Sequence, residues 1–97
     1  MLNMTVEEVK KLIASQKEKA LSHFDLKAYD GINANIHPAE SGGYMIVVDT
    51  PVGDVKIRSA RQKTRLFASI DSAMNAVRLC GLESASVKTS FYQIDGE

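Results

Sequence analysis

The sequence predicts an α+β domain with an antiparallel sheet of four to five strands and two helices on one face. Three observations lead to this prediction: two segments have helical periodicity, several alternate apolar and polar residues, and the links between the alternating segments are too short for parallel crossovers. The predicted element order is α-β-β-β-β-α-β. The chain has 97 residues, 44% hydrophobic and 25% charged, which are ordinary values for one globular domain.

The first helix is predicted over about residues 5–23. Thr5 and Glu8 have the spacing of a capping box, in which each side chain bonds the backbone N–H of the other residue. Apolar residues then recur at helical spacing. A loop-like stretch, 25–31, follows the helix. We expect one domain, 1–97, in which this loop either keeps the helix in place or releases it to pack on a neighbouring subunit.

Four strands are predicted between the two helices and one after the second helix. INANIH (32–37) alternates apolar and polar residues, and YMIVVDT (44–50), the most hydrophobic candidate, is expected at the centre of the sheet. DVKIRSA (54–60) alternates in the same way, and TRLF (64–67) is expected to return beside it. The last strand is predicted within 85–94.

The second helix has the clearest boundaries in the sequence. Ser69 or Asp71 is expected to cap its start, and Gly81 followed by Leu82 matches a left-handed C-terminal cap. Six apolar residues are expected in the core: Met45, Ile57, Leu66, Phe67, Met74 and Phe91.

The sequence does not indicate catalysis. It contains no GxxxxGK[ST] or GxGxxG phosphate loop, and His23 and His37 have no carboxylate or cysteine partner at ligand spacing. Cys80 falls beside the apolar stripe of the second helix, where cysteine usually behaves as a small hydrophobe. We therefore expect a non-enzymatic protein with no catalytic residue, cofactor or metal. A third alternative, beside the nucleic-acid binding and the protein binding considered below, is a small ligand-binding protein or an enzyme.

The chain is expected in the cytoplasm. No stretch approaches the ~18 to 20 apolar residues of a membrane span, and the first residues lack the apolar run of a signal peptide. One cysteine cannot form an internal disulfide, which suits a reducing compartment. Uncovered sheet edges favour a homodimer, because symmetric pairing is the common way to cover them.

The strongest functional signal is KIRSARQKTRLF, residues 56–67. It contains five cations and no acid: Lys56, Arg58, Arg61, Lys63 and Arg65. The net charge of the chain is zero, so the rest of the chain is acidic. Strand alternation and a tight turn are expected to place four or five cations on one exposed ribbon that contacts the phosphates of DNA or RNA.

Three other interpretations of this segment stay open. An acidic protein partner would suit the same charges, giving a protein-interaction or structural homodimer module without nucleic-acid binding. If the segment is only a solvated hairpin, its charges would discourage pairing with the sheet edge of another molecule. Phe67 beside Arg65 either packs within the hairpin or offers a platform on which a base stacks.

The stretch ARQKTRLFASIDSAMNAVRLCGL resembles the ParC-like family, small partition-associated proteins of plasmids and integrated elements. The residues that fall in step with the family pattern are Arg61, Arg65, Phe67, Ser69, Asp71, Ala73 and Gly81. Gln62 stands where the family has glycine, and Lys63 replaces an acid. The resemblance covers about a quarter of the chain. It implies an accessory protein of mobile DNA that acts by binding, and it supplies no set of functional residues.

Overall fold

The computed structural model describes residues 2–23, 32–50, 53–61 and 63–91, with the side chains of 17–23 excepted. These residues form five strands and two helices: β1 (Leu2–Met4), α1 (Val6–His23), β2 (Asn33–Pro38), β3 (Tyr44–Thr50), β4 (Gly53–Ile57), α2 (Ile70–Leu79) and β5 (Ala85–Val87). The predicted loop 25–31 and the residues from 92 onward lie outside the described residues. No helix in the described part of the chain is both long and apolar enough to cross a membrane.

The five strands form one sheet in the order β1-β4-β3-β2-β5. The central strand β3 pairs antiparallel with β2 and β4, whereas the edge strands β1 and β5 run parallel to β4 and β2. The predicted α+β class and the central position of β3 are confirmed. The prediction of a purely antiparallel sheet is wrong, because short turns constrain only the three middle strands. The edge strands pair with strands that are distant along the chain, which permits parallel alignment.

The predicted element order is also wrong, since the structure has β1 before the first helix and no strand at 64–67. β1 has three residues, too few to show an alternating pattern. The 64–67 segment makes only isolated bridges, Thr64 with Arg58 and Phe67 with Tyr44. The segment therefore makes one bridge just after the end of β4 and a second to the first residue of β3. It does not form the predicted strand.

A single core joins both helices to one face of the sheet. Val9 and Ile13 of α1 are buried in the same cluster as Val77 of α2 and Ile46 of β3. The sheet contributes alternate residues of β2, β3 and β4 to this cluster: Ala34, Ile36, Ile46, Val48, Val55 and Ile57. The intervening residues of these strands, such as Lys56, consequently lie on the face away from the helices.

The predicted core residues divide into two groups. Four are buried or partly buried: Met45, Ile57, Phe67 and Met74. The other two predictions are wrong, since Leu66 is 45% exposed and Phe91 is 49% exposed. β5 ends at Val87, so strand alternation does not continue to Phe91. Leu66 lies in the segment that forms no strand.

Both helices begin at the predicted caps. The Thr5 N–H donates to Glu8 Oε1 and the Glu8 N–H donates to Thr5 Oγ1, each over 3.2 Å. Ser69 is the N-cap of α2, and its hydroxyl accepts from the Ser72 N–H at 3.1 Å. At the other end Gly81 has φ +100°, in the left-handed conformation predicted for it.

Candidate functional site

The basic turn, residues 58–65, connects β4 to the segment that returns toward β3. Backbone hydrogen bonds close it: the Ser59 N–H donates to the Lys63 carbonyl at 2.7 Å, and the Arg65 N–H donates to the Ile57 carbonyl at 3.1 Å. These bonds bring the ends of the turn together.

A second pair of hydrogen bonds anchors the returning segment. The Tyr44 N–H donates to the Phe67 carbonyl and the Phe67 N–H donates to the Tyr44 carbonyl, both at 2.8 Å. Gly43 lies against the same carbonyl: an added Cβ would be 2.8 Å from the Phe67 oxygen. The basic turn is thus held to β4 at one end and to the start of β3 at the other.

The structure separates the five predicted cations into two groups. Arg61, Lys63 and Arg65 are exposed on the basic turn, whereas Lys56 and Arg58 are only partly exposed. Lys56 pairs in register with Asn3 of β1 and Val47 of β3, on the sheet face away from the helices. The structure therefore leaves three cations exposed on the basic turn and Lys56 only partly exposed within β4.

Arg58 is neutralised by an acid distant in the sequence. Its Nη2 lies 2.8 Å from Glu8 Oε1, and its Nη1 donates to the Ser59 carbonyl at 3.2 Å. The ion pair joins the first turn of α1 to the basic turn. A pair between partly exposed side chains contributes little net stability, so its main consequence is that Arg58 already has a carboxylate partner.

Arg65 is oriented by an aromatic ring. Its guanidinium lies over the Phe67 ring, 5.0 Å from the centroid, in a cation–π arrangement. Phe67 itself is 7% exposed, so the interpretation of Phe67 as a platform for a stacked base is wrong. The ring instead supports Arg65 while that side chain stays exposed.

An apolar groove adjoins the basic turn. This surface, called the Phe91 groove below, has a volume of about 360 Å³. Its lining includes Glu40, Met45, Lys63, Thr64, Leu66 and Phe91. Leu66 and Phe91, the two residues wrongly predicted in the core, are the large exposed apolar residues of this lining. The polar run Lys-Thr-Ser before Phe91 is the sequence signal that the strand ends earlier.

Two contacts place the segment that carries Phe91. The Lys88 N–H donates to the Ile36 carbonyl at 2.8 Å, just beyond the last residue of β5. His37 Nδ1 then lies 3.3 Å from the Ser90 carbonyl oxygen, a distance at which the Nδ1–H tautomer donates. The segment after β5 is therefore attached to β2 up to the residue before Phe91.

The buried side chain of Asn35 has its hydrogen-bond partners on the neighbouring strand β3. The buried Asn35 amide donates to Asp49 Oδ2 at 3.1 Å and to the Val47 carbonyl at 3.4 Å.

Burial, followed by the negative charge of Glu7, raises the pKa of the Cys80 thiol to about 11. This thiol is therefore protonated at neutral pH, which disfavours a nucleophilic role. Among the described residues, no group of three or more His, Cys, Asp or Glu is placed to hold a metal ion.

The Glu8 carboxylate that pairs with Arg58 gives a test of pH dependence. Its pKa is lowered from the usual 4.5, first by the Thr5 N–H, then by the Thr5 hydroxyl, with a smaller contribution from Arg58. Because the pKa of Glu8 is lower in the folded chain than in the unfolded chain, the ionised carboxylate stabilises the fold at pH values above 4.5. This stabilisation is lost as the pH falls through the pKa of the folded state. Glu8→Gln is expected to make unfolding midpoints in urea less pH-dependent on the acid side of 4.5.

Glu7→Gln is the matched control, because it removes a carboxylate from the same helical turn and leaves the capping box intact. The Glu7→Gln variant should keep the acid-side pH dependence of the unmodified chain. Equal flattening by both substitutions would show that the hydrogen bonds from Thr5 have no particular effect.

Comparison of the chain with family models, with curated proteins and with solved structures found no match. The resemblance to the ParC-like family therefore stays a prediction made from the sequence.

Proposed function

We propose that the chain is a non-enzymatic protein that binds nucleic acid through the basic turn. The ParC-like resemblance adds a biological setting, that of an accessory protein of mobile DNA in the cytoplasm. The resemblance supplies no functional residues, so the proposal rests on the charges and geometry of the turn.

The observation that carries the proposal is the group of three exposed cations within five residues: Arg61, Lys63 and Arg65. Among the residues that the structure describes, the one ion pair of the basic turn belongs to Arg58. Lysine and arginine side chains neutralise backbone phosphates, and arginine can bind one phosphate through two N–H groups. Backbone hydrogen bonds at both ends close the turn that carries these charges before a ligand arrives.

The position of Arg65 supports a binding function over simple solvation. A solvated arginine samples many rotamers, and fixing it on a ligand costs conformational entropy. The Phe67 ring already orients the Arg65 guanidinium, so less of that entropy remains to be lost on binding.

Fluorescence anisotropy with labelled single-stranded and duplex oligonucleotides of mixed sequence tests the proposal. We expect binding at low salt that weakens as salt is added, with a slope of log K against log salt of about −3 for a duplex and about −2 for a single strand. These slopes correspond to three phosphate contacts. Four or five contacts, as expected from the sequence alone, would give a slope of about −4 on duplex DNA. Absence of binding to either oligonucleotide at low salt would contradict the proposal.

A further inference from the structure

We propose that the basic turn binds single-stranded nucleic acid and that one base of the strand enters the Phe91 groove. This inference rests on the proposed function, because it specifies the form of nucleic acid that the turn binds. It adds a second contact surface, which the charges of the turn alone do not indicate.

The Phe91 groove and the basic turn are one continuous surface. Lys63 and Thr64 belong to both, so a cation that can bind phosphate lies in the wall of the apolar groove. A single strand presents phosphates and unpaired bases side by side, whereas a duplex encloses its base faces. Proteins that bind single strands combine cations along the backbone with aromatic side chains under the bases.

The apolar part of the groove suits a base. Phe91 and Leu66 are each about half exposed, and Met45 is buried beside them. Large apolar side chains that share an exposed groove often mark a binding site. The volume of about 360 Å³ lies at the lower end of the range of about 300–1,000 Å³ for small-molecule sites. The space therefore suits one flat ring system stacked on Phe91.

The charges of the walls orient the strand. Lys63 and Glu40 both line the groove and have opposite charges. A phosphate is attracted to Lys63 and repelled by Glu40. The backbone of the strand consequently follows the basic turn, past Arg61 and Arg65, and the base points into the groove.

Substitution of Phe91 separates base stacking from phosphate binding. The probes are a labelled single strand of about 12 nucleotides and the same strand annealed to its complement. The single strand should bind more tightly than the duplex. Phe91→Ala should weaken single-strand binding about tenfold and leave the salt slope unchanged, because the phosphate contacts remain.

Two further variants complete the design. Leu66→Ala, which also alters the groove, should weaken single-strand binding in the same direction and provides a second test if Phe91→Ala does not fold. Leu79→Ala is the control, because Leu79 is an exposed apolar residue of α2, 64% exposed and not among the groove residues. Its affinity should equal that of the unmodified chain.

Three results would overturn the inference. They are tighter binding of the duplex, unchanged single-strand affinity in both groove variants, and preferential binding of a labelled peptide rich in glutamate and phenylalanine. The first two would leave nucleic-acid binding by the basic turn intact. If the unmodified chain bound neither oligonucleotide, the result would instead contradict the proposed function itself.

Discussion

Replacing Arg61, Lys63 and Arg65 together by glutamine is expected to lower the affinity for an oligonucleotide about 100-fold at low salt. These three residues are the exposed cations of the basic turn. Their removal deletes the phosphate contacts, so the slope of log K against log salt should approach zero. Anisotropy titrations at several salt concentrations measure both quantities. The fold should persist, because exposed substitutions of this kind change stability by about 0.5 kcal/mol or less each.

A charge-matched control distinguishes a site from a general charge effect. Three other exposed cations are replaced by glutamine: Lys10, Arg78 and Lys88. This variant has the same net charge as the first but an intact basic turn, and it should keep most of its affinity and its salt slope. Equal loss of affinity in both variants would show that only net charge matters and would remove the basic turn as a site.

Gly43→Ala is expected to lower the free energy of unfolding by about 2 kcal/mol. Gly43 has φ +75°, which is unfavourable for alanine, and its Cβ would lie 2.8 Å from the Phe67 carbonyl oxygen. That oxygen accepts the 2.8 Å hydrogen bond from the Tyr44 N–H, so relief of the clash would disturb the attachment of the basic turn to β3. Denaturant unfolding measures the loss.

Gly42→Ala is the neighbouring control. Gly42 has φ +102°, and no atom lies within 4 Å of an added Cβ. Backbone strain alone would make this the more damaging substitution, because +102° is further than +75° from the left-handed helical region near φ +57°. We expect the opposite order, with the greater loss at Gly43. A larger loss at Gly42 would contradict the clash with Phe67.

The elements with strong local signals were the most predictable from the sequence. The capping box at Thr5 and Glu8, the cap at Ser69 and the hydrophobic run of β3 each depend on neighbouring residues, and all three occur as predicted. The three residues of β1 form a strand only because β4 lies beside them. Such long-range pairing leaves no periodic pattern in the sequence, which is why the parallel edges of the sheet were not predicted.

The candidate site was predictable in composition but not in arrangement. The run of cations is visible in the sequence, whereas the pairing of Arg58 with Glu8 joins residues 50 positions apart. The Phe91 groove is not predicted, since the sequence places both Leu66 and Phe91 in the core. Whether an apolar residue packs inward or stays exposed depends on where its strand ends, and strand ends are set by tertiary pairing.

Mapping the contact surface by NMR tests the central claim most directly. A ¹⁵N-labelled chain is titrated with an unlabelled single-stranded oligonucleotide at low salt, and the shifts of backbone amides are followed. We expect the largest shifts in the basic turn and at Phe91, with little change at Gly53 and Asp54, which lie at the opposite end of β4. Shifts at Gly53 and Asp54 with none in the basic turn would contradict nucleic-acid binding through the basic turn.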